Sequence, residues 1–455
     1  ASGYRLVSSD GSAAIAMVTF TQPQLAVAQS TKDALIASFR DDPVAGLSID
    51  FSSSIATDLP ALIGPNEVAG LVVAAVVLFV LLGTLVASGL PIVTALIGVG
   101  TATLGALSLS NVLEMTSVTP ILGIMLGLAV GIDYALFIVN RHRRQLREGY
   151  SVEESIALAN GTSGNAVVFA GSTVVIALVA LNLTGIPFLG LIGTIAAASV
   201  AIAVLVAVTL TPALLSFAGV RVLRRKERAQ IESGCHETPT PATPLPTWRA
   251  VGQVAIGIVV PLLIALPAAS MRLALPIGSS EAASSTQYRA YTTLADKFGE
   301  GQNGMLLVIA DLPAGTTDQQ LVERQVEVAK AISALHDVAA VAPVLTSDDH
   351  RIAAFQVVPE GGPTSVSTEQ LVSDIRAASK LAGGIKLGVA GQTSAAIDIS
   401  EKLADALPVY LGVVLGLSVL IMIVVFRSLL VPLVATGGFA LSLFAGLGGT
   451  VAIYQ

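Results

Sequence analysis

The chain has 455 residues, 53% of them hydrophobic and only 12% charged, with a net charge of -7 and a mean hydropathy of +0.79. These values exclude an ordinary soluble globule, a disordered chain, a coiled coil and a disulfide-rich scaffold, and they describe a protein of the bilayer. Cys235 is the one cysteine, so neither an internal disulfide nor a multi-cysteine metal site can be built, and the negative charge gives nucleic acid no electrostatic reason to bind.

Residues 1–65 are polar and read as folded rather than as a cleavable leader, with strands expected at Ala14–Thr19 and Leu47–Phe51 and a helix at Gln24–Phe39. Apolar stretches of about 20 residues, the length that crosses the hydrocarbon layer, follow in two groups. The first group is 66–87, 90–110, 119–140, 164–184 and 187–215; the second is 251–271, 406–426 and 429–453. Eight spanning helices are therefore expected, and Asp133 is the one charged residue in the interior of any of them. Ser151 and Glu154 have capping-box spacing and open a short helix through Ile156 and Leu158 before the fourth span.

Basic residues fix the direction of threading. Arg141, Arg143, Arg144 and Arg147 follow the third span, and Arg221, Arg224, Arg225, Lys226, Arg228 and Arg249 lie between the fifth and sixth. The positive-inside rule makes both loops cytoplasmic, which puts residues 1–65 and 272–405 outside and Arg427 inside. Residues 216–250 then form a cytoplasmic linker, extended at Pro239, Pro241, Pro244 and Pro246 and ending at the interfacial anchor Trp248. Cys235 and His236 lie in the same stretch and are two ligands too few for a structural metal.

The second outside segment alternates between strand and helix signals. Met305–Ala310 reads as a strand, Asp318–Leu335 as a helix, Val338–Leu345 and Arg351–Val358 as a hairpin, Thr368–Leu381 as a helix and Ile385–Ala390 as a strand. The order β-α-β-β-α-β is the ferredoxin-like split βαβ unit. Residues 1–65 carry only the second half of such a unit. Leu6-Val7-Ser8-Ser9-Asp10 aligns with Val344-Leu345-Thr346-Ser347-Asp348, and Gly46-Leu47 with Gly384-Ile385, at one common separation. Gly83-Thr84-Leu85 answers Arg427-Ser428-Leu429 with a small gap. An internal repeat of about 340 residues follows, of the parallel kind that transporters use. On this reading the chain is a piece of a protein of about 700 residues or more, entering within its first outside domain and leaving after two helices, 406–455, of its second membrane block.

A carboxylate within hydrocarbon costs about 2.5–3.5 kcal/mol or more, and taking up a proton relieves that cost. Asp133 lies about 12 Å along the helix from Arg141, at 1.5 Å per residue, and Tyr134 sets a hydroxyl beside it. The pair is the candidate proton relay, against a plainer reading of Asp133 as a carboxyl hydrogen-bonded to a neighbouring helix. Gly123, Gly127 and Gly131 form a small-residue ridge on the same helix, suited to helix packing, and are expected to seat it in the bundle interior together with Asp133. The sequence has no Gly-Lys pair and so no phosphate-binding loop, no HExxH, and a single membrane aspartate where aspartyl proteolysis needs two. No cofactor, no metal site and no enzymatic activity is expected, and the membrane potential remains as the energy source.

Gly131-Ile132-Asp133-Tyr134-Ala135-Leu136-Phe137, Asn140-Arg141-His142-Arg143, the segment from Gly161 to Ala180, Pro187-Phe188-Leu189 and Thr211-Pro212-Ala213-Leu214-Leu215 together resemble the MMPL family of the resistance-nodulation-division (RND) superfamily of bacterial exporters. The resemblance runs over nearly the whole chain and is most specific in 119–215. It implies a multi-pass helical protein of the bacterial cell membrane with extracytoplasmic α+β porter domains, 1–65 being half of the first and 272–405 the second. It also implies proton-driven export of lipids or other hydrophobic compounds, with Asp133 and Tyr134 in the relay. A second Asp-Tyr pair faces the first in such proteins, and the helix for it starts near position 460, beyond this sequence. The block 66–215 is also similar to sterol-sensing domains. Expected partners are protons, the bilayer and a hydrophobic or lipid substrate, with a homo-oligomer and accessory periplasmic proteins left open. The alternative is a non-transporting sterol-sensing-like or Sec-type accessory membrane protein.

Overall fold

The structure is a computed structural model, and it describes residues 6–21, 27–41, 44, 46–56, 64–109, 118–232, 246–271, 277–378 and 384–454. Cys235, His236, Pro239, Pro241 and Pro244 lie outside the described residues. In chain order the helices begin with α1 (Gln29–Asp41), α2 (Ser53–Ala56), α3 (Pro65–Leu82), α4 (Leu85–Leu109) and α5 (Val118–Arg147). They continue with α6 (Val152–Ala159), α7 (Asn165–Val179), α8 (Pro187–Ala218), α9 (Arg225–Glu232) and α10 (Thr247–Ala265). After α11 (Thr286–Phe298) come β1 (Leu306–Asp311), α12 (Asp318–Ser333), β2 (Val338–Thr346), β3 (Ile352–Pro359), α13 (Val366–Ala377), β4 (Lys386–Ala390), α14 (Gln392–Phe426) and α15 (Leu430–Tyr454). The chain divides into two compact units, Ala1–Leu59 with Leu273–Glu401, and Pro60–Arg272 with Lys402–Gln455.

The first unit holds an antiparallel four-stranded sheet in the order β2-β3-β1-β4. The β-α-β-β-α-β order expected from the sequence is the order observed; alternate side chains of β1 turn to one buried face, and β3 is buried along almost its whole length. Leu306, Val308 and Ala310 of β1 and Ala353, Phe355 and Val357 of β3 are buried against Val328 and Ile332 of α12 and Leu371, Val372 and Ile375 of α13. Each of these helices starts on a side-chain cap: Thr317 accepts from the Gln320 N–H and Ser365 from the Thr368 N–H.

The strands expected at Ala14–Thr19 and Leu47–Phe51 are not formed. A strand is stable only when its N–H and C=O groups find a neighbour, and among the described residues the first segment makes one bridge, Val7 with Ala14. The second segment docks instead on the start of α11. The Phe51 N–H donates to Thr286 Oγ1 at 2.8 Å, Thr286 Oγ1 donates to Asp50 at 3.0 Å, and Arg289 Nε donates to the same carboxylate at 2.9 Å.

The turns that follow Ser8 and Ser347 share one hydrogen-bond pattern. Ser8 Oγ donates to Asp10 at 2.7 Å and accepts from the Ala13 N–H at 2.9 Å; Ser347 Oγ donates to Asp349 at 2.6 Å and accepts from the Ile352 N–H at 3.0 Å. Gly11 (φ 66) and His350 (φ 54) occupy the same left-handed position in the two turns. This sets Ser8 against Ser347 rather than Thr346, one residue along from the register read in the sequence. The first aspartate also meets Lys297 Nζ at 2.7 Å, which, with the Ser8 and Ser12 donors, holds its carboxyl well below the usual range.

In the second unit, seven helices among the described residues are long and apolar enough to cross a membrane: Leu85–Ser108, Thr119–Arg147, Val152–Thr184, Pro187–Val222, Thr247–Ser270, Gln392–Phe426 and Leu430–Ile453. The expected first span, 66–87, is shorter. Its apolar helix ends at Leu82, because Gly83 takes φ 69 and Thr84 Oγ1 then accepts from the Ala87 N–H to start α4. Arg427 (φ 48) breaks the chain in the same way between α14 and α15. The Gly83 N–H reaches the Phe79 carbonyl at 2.7 Å and the Arg427 N–H the Ile423 carbonyl at 2.8 Å. The fourth span starts earlier than its apolar stretch, at Val152. The Ser151–Glu154 capping box is present, and a π-turn over Asn160–Gly164 joins α6 to α7 without a break. Helix α5 packs between α4 and α8, α8 also packs on α7, and α10 packs on α15. Trp248 stands 72% exposed at the start of α10 with the Arg249 guanidinium 5.1 Å from its ring centre.

Candidate functional site in the membrane unit

Helix α5 carries three different surfaces. Along one of them Gly123, Gly127 and Gly131 are buried. A Cβ at Gly123 would lie 3.1 Å from Ser199 Oγ of α8, one at Gly127 3.2 Å from Val99 Cγ2 of α4, and one at Gly131 3.1 Å from Ala95 Cβ. The ridge therefore brings α5 within backbone reach of both neighbours. Gly131→Leu is expected to overpack this seam at a cost of about 1–3 kcal/mol, read as a lower melting temperature of the full-length protein in detergent. An unchanged melting temperature would show that the seam gives way freely.

Asp133 is not on that ridge. Two residues along an α-helix turn through about 200°, so the carboxylate leaves the bundle side and is exposed, in a stripe with Met125, Ala129, Phe137 and Asn140. The structure thus separates the glycines from the aspartate that the sequence expectation placed with them in the bundle interior. Among the described residues no side chain donates a hydrogen bond to Asp133. Tyr134 turns the other way. Its ring packs into the cluster formed by α5, α7 and α8, where a Cβ at Gly171 would come within 3.4 Å of Tyr134 Cε2.

At the arginine-rich end, α5 is tied to its surroundings by groups read in the sequence only as topology markers. Arg143 is 5% exposed and its Nη2 lies 3.3 Å from Glu227 Oε2 of α9. The same Glu227 oxygen accepts from the Arg224 N–H at 2.8 Å, and the Arg224 guanidinium donates to the Val80, Leu81 and Leu82 carbonyls at 3.3, 3.2 and 3.4 Å. These are the last carbonyls of α3, which have no partner in their own helix. Gly83 leaves the room for that guanidinium, which a side chain there would strike.

Next to Arg143 in the chain, His142 is fully buried with its Nδ1 2.9 Å from Ser155 Oγ of α6. Pro212 inside α8 has no N–H, so the Val208 carbonyl lacks its helical donor. Asn160 Nδ2, in the first position of the π-turn, donates to that carbonyl at 3.3 Å. Among the described residues no group of three His, Cys, Asp or Glu comes together in a way that could hold a metal ion.

The sequence profile of the MMPL family matches residues 4–256 and 277–455. The chain belongs to the MMPL family. Its MMPL relatives include the membrane protein YdfJ of Bacillus subtilis, 38% identical over 99% of this chain and 61% of the relative. A second is the mycolic acid-containing lipids exporter MmpL11 of Mycolicibacterium smegmatis, 28% identical over 84% of this chain and 41% of that protein. The trehalose monomycolate exporter MmpL3 of the same organism is 38% identical over 37% of this chain and 17% of its own length. The chain thus spans less than two thirds of each relative. Family membership, with seven apolar helices and an α+β sheet unit, makes this a multi-pass cell-membrane protein of the RND superfamily.

Proposed function

We propose that this chain is the Asp133-bearing portion of a proton-driven exporter of lipids or other hydrophobic compounds. The observation that carries the reading is Asp133 itself: an ionisable side chain in the Thr119–Arg147 span, on a face of α5 with no protein partner among the described residues. An ionisable group at such depth in a spanning helix is costly and, by default, functional. Binding a proton neutralises it, and that change of charge is what biases α5 between two arrangements. Tyr134, about 100° further round the helix, carries the proton on the side that faces the bundle. The names of MmpL11 and MmpL3 support a lipid-like substrate, and the positive-inside distribution supports 272–405 as the extracytoplasmic domain that receives it.

The test is the lipid composition of the outer leaflet in cells with and without the full-length protein. The reading predicts at least one hydrophobic compound that reaches the outer leaflet only when the protein is present. Unchanged lipids with altered protein secretion would favour the Sec-type accessory role instead.

A further inference from the structure

Among the buried side-chain atoms at the arginine-rich end of the membrane unit that find no hydrogen-bond partner among the described residues are His142 Nε2, Asn160 Oδ1 and Thr211 Oγ1, beside Gln145 Oε1 and the Nε atoms of Arg141 and Arg143. His142 and Thr211 are each 0% exposed. Such atoms cost about 1–3 kcal/mol apiece when left unpaired, and in folded proteins buried polar groups are almost always paired, with protein or with ordered water.

His142, Asn160 and Thr211 lie on three elements that pack on one another, α5, the π-turn and α8. Tyr134, Ile138 and His142 fall at i, i+4 and i+8 on α5, and Val204, Val208 and Thr211 at i, i+4 and i+7 on α8. Tyr134, Ile138, Ala159, Val204, Val208 and Leu215 pack in a single cluster, which places the unpaired atoms between the same helices. Asn160 is held there by its bond to the Val208 carbonyl. Gly164 leaves the room that this Oδ1 occupies, since a Cβ there would strike it.

We propose that His142, Asn160 and Thr211 bind a short file of buried water beneath Tyr134. From His142 to Tyr134 is about 12 Å along the helix, a gap that a few waters and these polar groups bridge. Each water accepts a proton on one side and releases one on the other, and Tyr134 does the same at its hydroxyl. The file is then the route by which a proton passes between the arginine-rich end and the Asp133–Tyr134 pair, and this role rests on the proton-coupled reading above. The His142–Ser155 hydrogen bond stands at the arginine-rich end of the file.

The water itself is tested without any transport, by hydroxyl-radical labelling of the full-length protein in bilayers under a brief X-ray pulse. Radicals born from bound water react within a few ångströms, so a side chain with no bulk exposure is labelled only beside ordered water. His142 is expected to be labelled in the wild type, about fivefold less in Thr211→Val and undiminished in Thr211→Ser, with the buried Val200 as the unlabelled control. Labelling of His142 no higher than that of Val200, or labelling indifferent to Thr211→Val, would overturn the site. The role is tested by proton uptake in vesicles. Thr211→Val is expected to slow uptake about tenfold or more while Thr211→Ser restores it, and equal rates in all three would overturn the route. A dry pocket overturns this inference alone, whereas an Asp133→Asn protein that still transports overturns the exporter reading alone.

Discussion

Asp133→Asn in the full-length protein is expected to abolish proton-coupled export while insertion into the membrane stays normal. The amide has the shape of the carboxylic acid and carries no exchangeable charge, so α5 would be fixed in the state that the neutral side chain favours. Positioned proton-transfer groups contribute about 10²- to 10⁴-fold to the steps they serve, so a loss of about a hundredfold or more is expected in export per inserted molecule. Because Asp133 touches none of the groups that hold α5 to α4 and α8, its replacement leaves the Gly123, Gly127 and Gly131 seam intact. Thermal stability should therefore hold while export falls. Export unchanged at equal protein level would remove Asp133 from the mechanism.

Glu227→Ala is expected to be the most damaging change at the arginine-rich end. It leaves Arg143 buried with no counter-charge and frees the Arg224 N–H that starts α9. Removing one partner of a buried pair costs about 3–5 kcal/mol, and the 20% exposure of Glu227 puts the expected loss near the lower value. Arg143→Met combined with Glu227→Met should recover most of it, because an apolar pair buries no charge. Melting temperatures of the wild type, the single variant and the double variant check this. A double variant as unstable as the single one would show that lost packing, rather than the stranded charge, is what matters.

The sheet unit was the most legible part of the chain. The apolar, β-compatible runs in 306–311 and 352–359 and the caps at Thr317 and Ser365 are local signals, and the elements follow them closely. The two amino-terminal strands failed for the converse reason: alternation states which face a strand would bury and says nothing of whether a neighbour pairs with it. Asp133 shows a similar limit in the membrane. Its depth along α5 is a matter of counting residues, but the face it occupies depends on which helices settle on either side of the glycine ridge. Tyr134, its immediate neighbour in sequence, accordingly meets an entirely different environment.

The arginines were read for their charge and not for their partners. Arg143 meets Glu227 across 84 residues of chain, and nothing local to either predicts the meeting. Pro212 did carry a usable signal. A proline inside a span frees the carbonyl four residues earlier, and a polar residue is then required somewhere to bond it. That residue is Asn160, and the π-turn that begins there is what turns its amide toward α8.

The central claim is that proton movement through this membrane unit is coupled to the movement of a hydrophobic substrate. Full-length protein sealed in lipid vesicles, with a pH gradient imposed across the bilayer and a fluorescent proton indicator inside, tests it most directly. The account predicts proton flux that rises when an exported lipid is supplied and falls to the protein-free level in Asp133→Asn. Substrate moving at the same rate with the gradient collapsed, or proton flux equal in the wild type and Asp133→Asn, would contradict it.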